Sequence, residues 1–177
     1  MDQAVQASEP RSDESRRGFC LWTIGHSTRS LDDFLALLRA HDITRVVDVR
    51  RFPGSRRYPH FNSDTLSRAL HDSGIAYTHM PELGGRRTPR PDSPHTAWRN
   101  AAFRGYADYM DTPEFAAAAE KLAELARQDR VAIMCSEAVW WRCHRSMIAD
   151  YFVAHGWRVM HITSVAAPKP HPVRVVE

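Results

Sequence analysis

Lysine is almost missing from this chain. Among 24 basic residues only Lys121 and Lys169 are lysines; the rest are arginines, and the formal charge is only +3 with an isoelectric point near 9.0. So small a net charge excludes a strong nonspecific DNA binder, whose affinity is built from many phosphate contacts. Arginine grips carboxylates and phosphates as a planar fork, so the placement of the arginines matters more than their total. Cysteine is scarce as well. Cys20, Cys135 and Cys143 are three in 177 residues. A chain of that length builds a core without disulfide staples, and an odd count points to a reducing compartment. No apolar run reaches the ~20 residues of a membrane span. Residues 1–18 are polar, with Asp2, Glu9, Asp13 and Glu14, and lack the apolar stretch of a signal peptide. They are expected to be a disordered tail, and the protein is expected to be cytoplasmic. No internal repeat is present.

What the sequence does hold is alternation. Five apolar runs read as strands: Cys20–Ile24, Arg45–Val49, Ile75–His79, Val131–Cys135 and Arg158–Ile162. Helical spacing separates most of them. Ser30 caps a segment with Leu31, Phe34, Leu35 and Leu38 at helical positions. Leu66, Ala69 and Leu70 mark a second helix that Gly74 stops. Thr112-Pro113-Glu114 opens another with a cap, a first-turn proline and an acid at the positive end. Met147, Ile148, Tyr151 and Phe152 form one more stripe, ended by Gly156. Strands alternating with helices predict a single α/β domain over residues 19–165, with a mostly parallel five-stranded sheet flanked by helices. A long loop insertion follows the third strand, between Met80 and Asp111, where Phe103 to Met110 is expected to be helical and to pack it down. Residues 166–177, with Pro168, Pro170 and Pro172, read as an extended proline-rich tail.

In open α/β sheets ligands bind beyond the carboxyl ends of the strands, and that is where the chemically capable residues fall. His26 and Ser27 follow the first strand. Asp48 closes the second, before Arg50, Arg51, Ser55, Arg56 and Arg57. Glu82, Gly84, Gly85, Arg86 and Arg87 follow the third. The fourth runs into Cys135, Ser136 and Glu137, then Cys143, His144 and Arg145. Cys143 and His144 open a helix, whose amide groups favour a thiolate or a bound phosphate, and Arg142 and Arg145 beside Cys143 lower a thiol pKa. Glu137 suits acid–base work or a sugar hydroxyl, and His144 suits a proton shuttle. The plain alternative for Cys135 and Cys20 is core packing, and for the arginine loop a solvated basic surface. Arginine at a positive helix end is unfavourable on its own, so Arg145 implies an anionic ligand or an acidic partner such as Asp48.

The segments Thr23-Ile24-Gly25-His26-Ser27, Asp48-Val49-Arg50 with Phe52-Pro53 and Ser55, Leu83-Gly84-Gly85, Phe103-Arg104-Gly105-Tyr106, and Met134-Cys135-Ser136-Glu137 with Cys143-His144-Arg145 together resemble the bacterial domain of unknown function family 488. The motifs stand in that family's order and span about Leu21 to Thr163. Ser136 departs from the alanine common there. The resemblance implies site positions at His26, Ser27, Asp48, Arg50, Glu82, Gly84, Gly85, Cys135, Glu137, Cys143, His144 and Arg145, and no particular reaction.

The residues favour an enzyme acting on a phosphate-bearing ligand, a nucleotide or nucleic acid. The arginine loops would hold phosphate, Glu137, Asp48, His26 and His144 would serve acid–base chemistry, Cys135 and Cys143 would supply thiols, and Trp140 or Trp141 would stack on a base. A hydrolase or a glycosidase is the reaction type such groups suit. The alternatives are a non-catalytic nucleotide or nucleic-acid binding module, a thiol alkyl acceptor and a metal protein. Cys143-His144-Arg145 is similar to the Pro-Cys-His-Arg box of DNA alkyltransferases, with Arg142 in place of the proline. Zinc at Cys135, Cys143 and His144 fits poorly, because typical ligand spacings are two to four residues. No cofactor is expected, and the expected partner is an anionic small molecule or nucleic acid, not a membrane.

Overall fold

The structure, a computed structural model, describes residues 19–54 and 56–172. The expected N-terminal tail and Ser55 lie outside the described residues. The chain runs β1 (Cys20–Gly25), α1 (Leu31–Ala40), β2 (Arg45–Asp48), α2 (Ser63–Asp72), β3 (Ala76–His79), α3 (Ala101–Met110), α4 (Pro113–Gln128), β4 (Val131–Cys135), α5 (Arg145–Ala154), β5 (Arg158–Ile162) and β6 (Lys169–Pro170). The α/β reading holds, and all five expected strands form to within a residue at each end.

The sheet has six strands in the order β3-β2-β4-β1-β5-β6. The first five pair in parallel, and β6 adds antiparallel to β5. The sixth strand corrects the five-stranded expectation. It comes from the described part, residues 166–172, of the segment expected to be a tail, and that part docks on the edge of β5 through the His171 N–H to Val159 carbonyl bond of 2.8 Å. Pro170 is tolerated there because an edge strand leaves room for a residue without an N–H.

Period-two alternation splits the core into two layers. Val46 and Met134 point to the face covered by α1 and α2, with Phe34, Leu38, Leu66 and Leu70. Val47 and Ile133 point to the face covered by α3, α4 and α5, with Tyr106, Phe115, Leu122 and Ile148. β4 is buried along its whole length, as a central parallel strand covered on both faces must be. Ser30, Asn100 and Thr112 cap α1, α3 and α4 with their side-chain oxygens.

Residues 84–100 carry no helix or strand, yet α3 holds them down. The Asp108 carboxylate accepts from Arg90 N–H and Ser93 Oγ at 2.8 and 2.7 Å. The Tyr106 hydroxyl donates to the Leu83 carbonyl, and the Arg87 guanidinium lies 3.7 Å from the Tyr109 ring centre. Gly105 permits this approach: a Cβ there would stand 2.0 Å from the Arg87 carbonyl oxygen. Among the described residues no helix is long and apolar enough to cross a membrane.

Candidate functional site

The strand order sets the carboxyl ends of β3, β2, β4 and β1 side by side, and the loops beyond them touch. His26 N–H donates to the Cys135 carbonyl and Ser27 N–H to that of Ser136, at 2.9 and 3.0 Å, while Val49 N–H donates to Met134 and Met80 N–H to Asp48. The glycines of these loops are contact points between chains of backbone. A Cβ on Gly25 would sit 1.8 Å from the Glu137 carbonyl oxygen, and one on Gly84 within 2.9 Å of the Arg51 backbone nitrogen and α-carbon. A Cβ on Gly85 would stand 3.0 Å from His144 Nδ1. Ser27 and Arg86 adopt left-handed backbone, with φ of 52° and 60°, a conformation uncommon for residues with side chains and concentrated at ligand sites. Between the loops opens a cavity of about 440 Å³, walled by His26, Arg50, Gly85, Cys135, Glu137, Cys143 and His144 among others.

Two sulfurs occupy its floor. Cys135 and Cys143 are 2% and 9% exposed, both are free thiols, and their Sγ atoms are 2.9 Å apart. Once one of them ionises, the proton between them belongs on Cys135. Cys143 receives the Arg145 backbone N–H at 3.5 Å, and a thiol proton from Cys135 together with the Arg145 charge holds the Cys143 pKa down to about 7 against the opposing effect of burial. With both sulfurs protonated, Cys143 S–H donates to Cys135 Sγ and Cys135 S–H to the Glu137 carbonyl at 3.7 Å; burial and the neighbouring sulfur push Cys135 well up, so when Cys143 ionises the Cys135 S–H turns to donate to the Cys143 thiolate. His144 Nε2–H donates to the Val49 carbonyl at 3.0 Å, which leaves Nδ1 as a lone pair 3.4 Å from Cys143 Sγ. Burial lowers the His144 pKa, so the ring is neutral and Nδ1 can take a thiol proton.

Arg145 is 1% exposed. Its Nη1 donates to Thr23 Oγ1 at 3.1 Å and its Nη2 to the Glu137 carbonyl at 2.8 Å, while Nε has no oxygen or nitrogen partner. No carboxylate among the described residues pairs with it, so Asp48 is not its acidic partner. Asp48 instead pairs with Arg50, through Oδ1 to Nε at 2.9 Å and Oδ2 to Nη2 at 2.8 Å, and also accepts the Arg50 backbone N–H and the Tyr77 hydroxyl. Asp48 is fully buried beneath the cavity rather than in its wall. Arg50 reaches the cavity with Nη1, 3.4 Å from His26 Nε2. His26 donates Nδ1–H to the Ser27 carbonyl, and burial lowers its pKa to about 4. It stands in the wall as a neutral acceptor.

The remaining expected residues divide. Glu137 and Arg86 line the cavity and are exposed. Gly84 holds the Arg51 backbone close without lining the cavity. Glu82 and Arg56 are exposed and lie off the cavity wall. Trp140 does not offer a free face, because it stacks on His161 at 4.3 Å with the rings 1° from parallel, whereas Trp141 is exposed. Among the described residues no group of three His, Cys, Asp or Glu side chains is placed to hold a metal ion.

Arg51 and Arg142, which the sequence already set at the strand ends, add charge to the wall. Sequence reading passed over the aromatic surface that Phe52, Tyr58, Phe103 and Tyr106 add there. Phe52 is 63% exposed and lies 5.5 and 5.9 Å from the Arg51 and Arg86 guanidinium carbons. It also missed a chain of buried polar groups behind Arg145. Thr23 O–H donates to His161 Nδ1 at 2.6 Å, His161 Nε2–H to His171 Nδ1 at 2.9 Å, and His171 Nε2–H to Asp150 at 2.6 Å. Burial lowers the His161 pKa to about 3, so that ring is neutral. The signal available was a threonine and a histidine at inward positions of otherwise apolar strands.

Compared with known proteins, residues 30–152 match the family described as Domain of unknown function DUF488. No curated protein and no solved structure matches the chain.

Proposed function

The chain belongs to the DUF488 family, and we propose that it is an enzyme that uses the Cys143 thiolate on a phosphate-bearing ligand, a nucleotide or nucleic acid. One observation carries the reading: Arg145 is a buried guanidinium without a carboxylate among the described residues, set against Cys143. An unpaired buried charge costs several kcal/mol, and a thiolate at Cys143 is the anion that removes that cost. The same cavity carries Arg50, Arg51, Arg86 and Arg142 against one carboxylate, Glu137. Arg50 is neutralised by Asp48. Arg51, Arg86 and Arg142 are exposed and suit phosphate oxygens, and Phe52 between two of them suits a base.

The chemistry is covalent hydrolysis. Cys143 sulfur displaces the leaving oxygen from the electrophilic centre, and that oxygen takes its proton from solvent water. Water then attacks the sulfur adduct, Glu137 takes its proton, and the thiolate is restored. His144 Nδ1, a neutral lone pair 3.4 Å from Cys143 Sγ, accepts from Cys143 when that sulfur carries a proton.

Labelling of Cys143 by iodoacetamide, followed by mass spectrometry, tests the reading. Nucleoside mono- and diphosphates at millimolar concentration are expected to slow labelling more than tenfold, with Arg142→Ala relaxing that protection. Turnover of a nucleotide panel is expected to vanish in Cys143→Ser. Labelling that proceeds at the same rate with and without inorganic phosphate and nucleotides rejects it.

A further inference from the structure

The hydrolytic reading uses one sulfur and leaves the other unexplained. Cys135 could hold Cys143 down by a hydrogen bond alone, but a serine hydroxyl would do that better, since S–H is a weak donor. The separation points to more. The Sγ atoms are 2.9 Å apart, and a disulfide bond is about 2.0 Å, so less than one ångström of closure joins them. Cys20 is no competitor. It begins β1, whereas Gly25 at the other end of that strand is in register with Cys135. Both sulfurs line the cavity, so a small oxidant reaches them from solvent.

We propose that Cys143 and Cys135 form a peroxide-oxidised dithiol, with Cys143 as the sulfur that is attacked and Cys135 as the one that resolves it. The Cys143 thiolate attacks one oxygen of hydrogen peroxide; the O–O bond breaks, hydroxide leaves, and Cys143 becomes a sulfenic acid. Cys135 sulfur then attacks Cys143 sulfur. The S–O bond breaks, the Cys135 proton leaves with the hydroxyl as water, and a disulfide remains. Two thiol groups have lost two electrons and one peroxide has been reduced. Reduction by a small dithiol reverses the change.

The division of labour follows from surroundings. Cys143 faces the Arg145 backbone N–H and guanidinium, which stabilise the thiolate that reacts. Cys135 is the more deeply buried and keeps its proton until a sulfenic acid stands beside it. Oxidation also removes the negative charge that faces Arg145, so the disulfide leaves that guanidinium without an anion. The oxidised cavity is therefore more positive and lacks its nucleophile. The proposal needs no phosphate-bearing ligand, and it stands or falls separately from the hydrolytic reading.

The test is oxidation of the full chain with hydrogen peroxide, followed by tryptic mass spectrometry without reduction. Arg130, Arg142 and Arg145 are cleavage points, so the expected product is Val131–Arg142 linked to Cys143–Arg145, two hydrogens lighter than the separate peptides. Cys20 stays free, and dithiothreitol restores both thiols. In Cys135→Ser, and in Cys135→Ala as a second variant, Cys143 is expected to pass beyond sulfenic acid to the sulfinic acid, which dithiothreitol does not reverse. Wild-type protein that gives sulfinic acid at Cys143 with no linked peptide, a link to Cys20, or no change at either thiol overturns the proposal. The wild-type result is decisive even where a variant fails to fold.

Discussion

Cys135→Ala probes how the Cys143 thiolate is held. The Cys143 pKa is lowered from 9.0 to about 7, and the hydrogen bond from Cys135 is the largest cause. Two units correspond to about 3 kcal/mol. A hydrogen bond to a charged group contributes roughly 1.5–3 kcal/mol, and a thiol donor lies at the low end, so its loss raises the pKa by about one unit. At pH 7 the thiolate fraction then falls from about a half to about a tenth. The remaining thiolate is more basic and roughly threefold more nucleophilic, because nucleophilicity follows pKa with a slope of ~0.4–0.5. The two effects nearly cancel, and the rate at pH 7 drops only about twofold. The informative quantity is the midpoint of the iodoacetamide rate against pH, read on the peptide that carries Cys143. It is expected near 7 in the wild type and near 8 in Cys135→Ala, with the variant about threefold faster above about pH 9.5. The other groups facing Cys143 do not confuse the profile: His144 is neutral throughout because burial lowers it, and Arg145 stays charged. The stability sign agrees. A thiol whose pKa is depressed by folding contributes stability above its unfolded value, and that contribution is lost as pH falls towards 7. The urea midpoint of the wild type is therefore expected to rise from pH 7 to 9, and by less in the variant. A midpoint unmoved by Cys135→Ala refutes the assignment of the shared proton.

Two further substitutions test the framework. Gly25→Ala forces a Cβ to within 1.8 Å of the Glu137 carbonyl; it is expected to cost about 3 kcal/mol or more in urea unfolding, whereas Gly54→Ala, which meets nothing within 4 Å, is expected to shift stability by less than about 0.5 kcal/mol. His171→Ala removes the acceptor of His161 Nε2–H and one donor to Asp150 and is expected to destabilise by about 1–3 kcal/mol; in a double-mutant cycle with Asp150→Asn the two losses should fall short of additivity by at least about 0.5 kcal/mol, and full additivity would show that the chain is not a unit.

The strands were legible because period and position carry them. Val131–Cys135 is apolar without a break, as a central parallel strand must be, and Ser30 and Thr112 stand where caps stand. β6 was not legible, since Lys169-Pro170 has neither apolar run nor alternation, and only the edge of β5 makes it a strand. The members of the site could be collected from the strand ends, because an open sheet delivers its loops to one edge. Their roles could not. Whether Glu82 faces the cavity depends on the short 3₁₀ turn of Pro81–Leu83, which leaves it exposed and off the wall, and Trp140 loses its free face to a histidine 21 residues later.

Arg50 and Arg145 show why roles need coordinates. In sequence, Arg50 sits in an arginine cluster and looks like the ligand's clamp, while Arg145 at a helix start looks in need of an acid. Folding reverses both. The backbone of β2 turns Asp48 back onto Arg50 within two residues and spends most of that guanidinium on a bidentate pair. Arg145 is carried into the core by the first turn of α5, where its partners are a threonine, which is neutral, and backbone carbonyls. Carbonyls and hydroxyls satisfy N–H groups but do not balance charge. Of the groups set against Arg145, Cys143 is the one that can become an anion near neutral pH, and it does so at the cavity floor. The cation that sequence could not place thus joins the Cys135 thiol, the larger influence, in making a reactive sulfur out of a buried cysteine. Arg145→Met, which keeps the length and removes the charge, should therefore move the midpoint of the Cys143 iodoacetamide rate above 7, and a midpoint left near 7 would show that the guanidinium does not hold the thiolate.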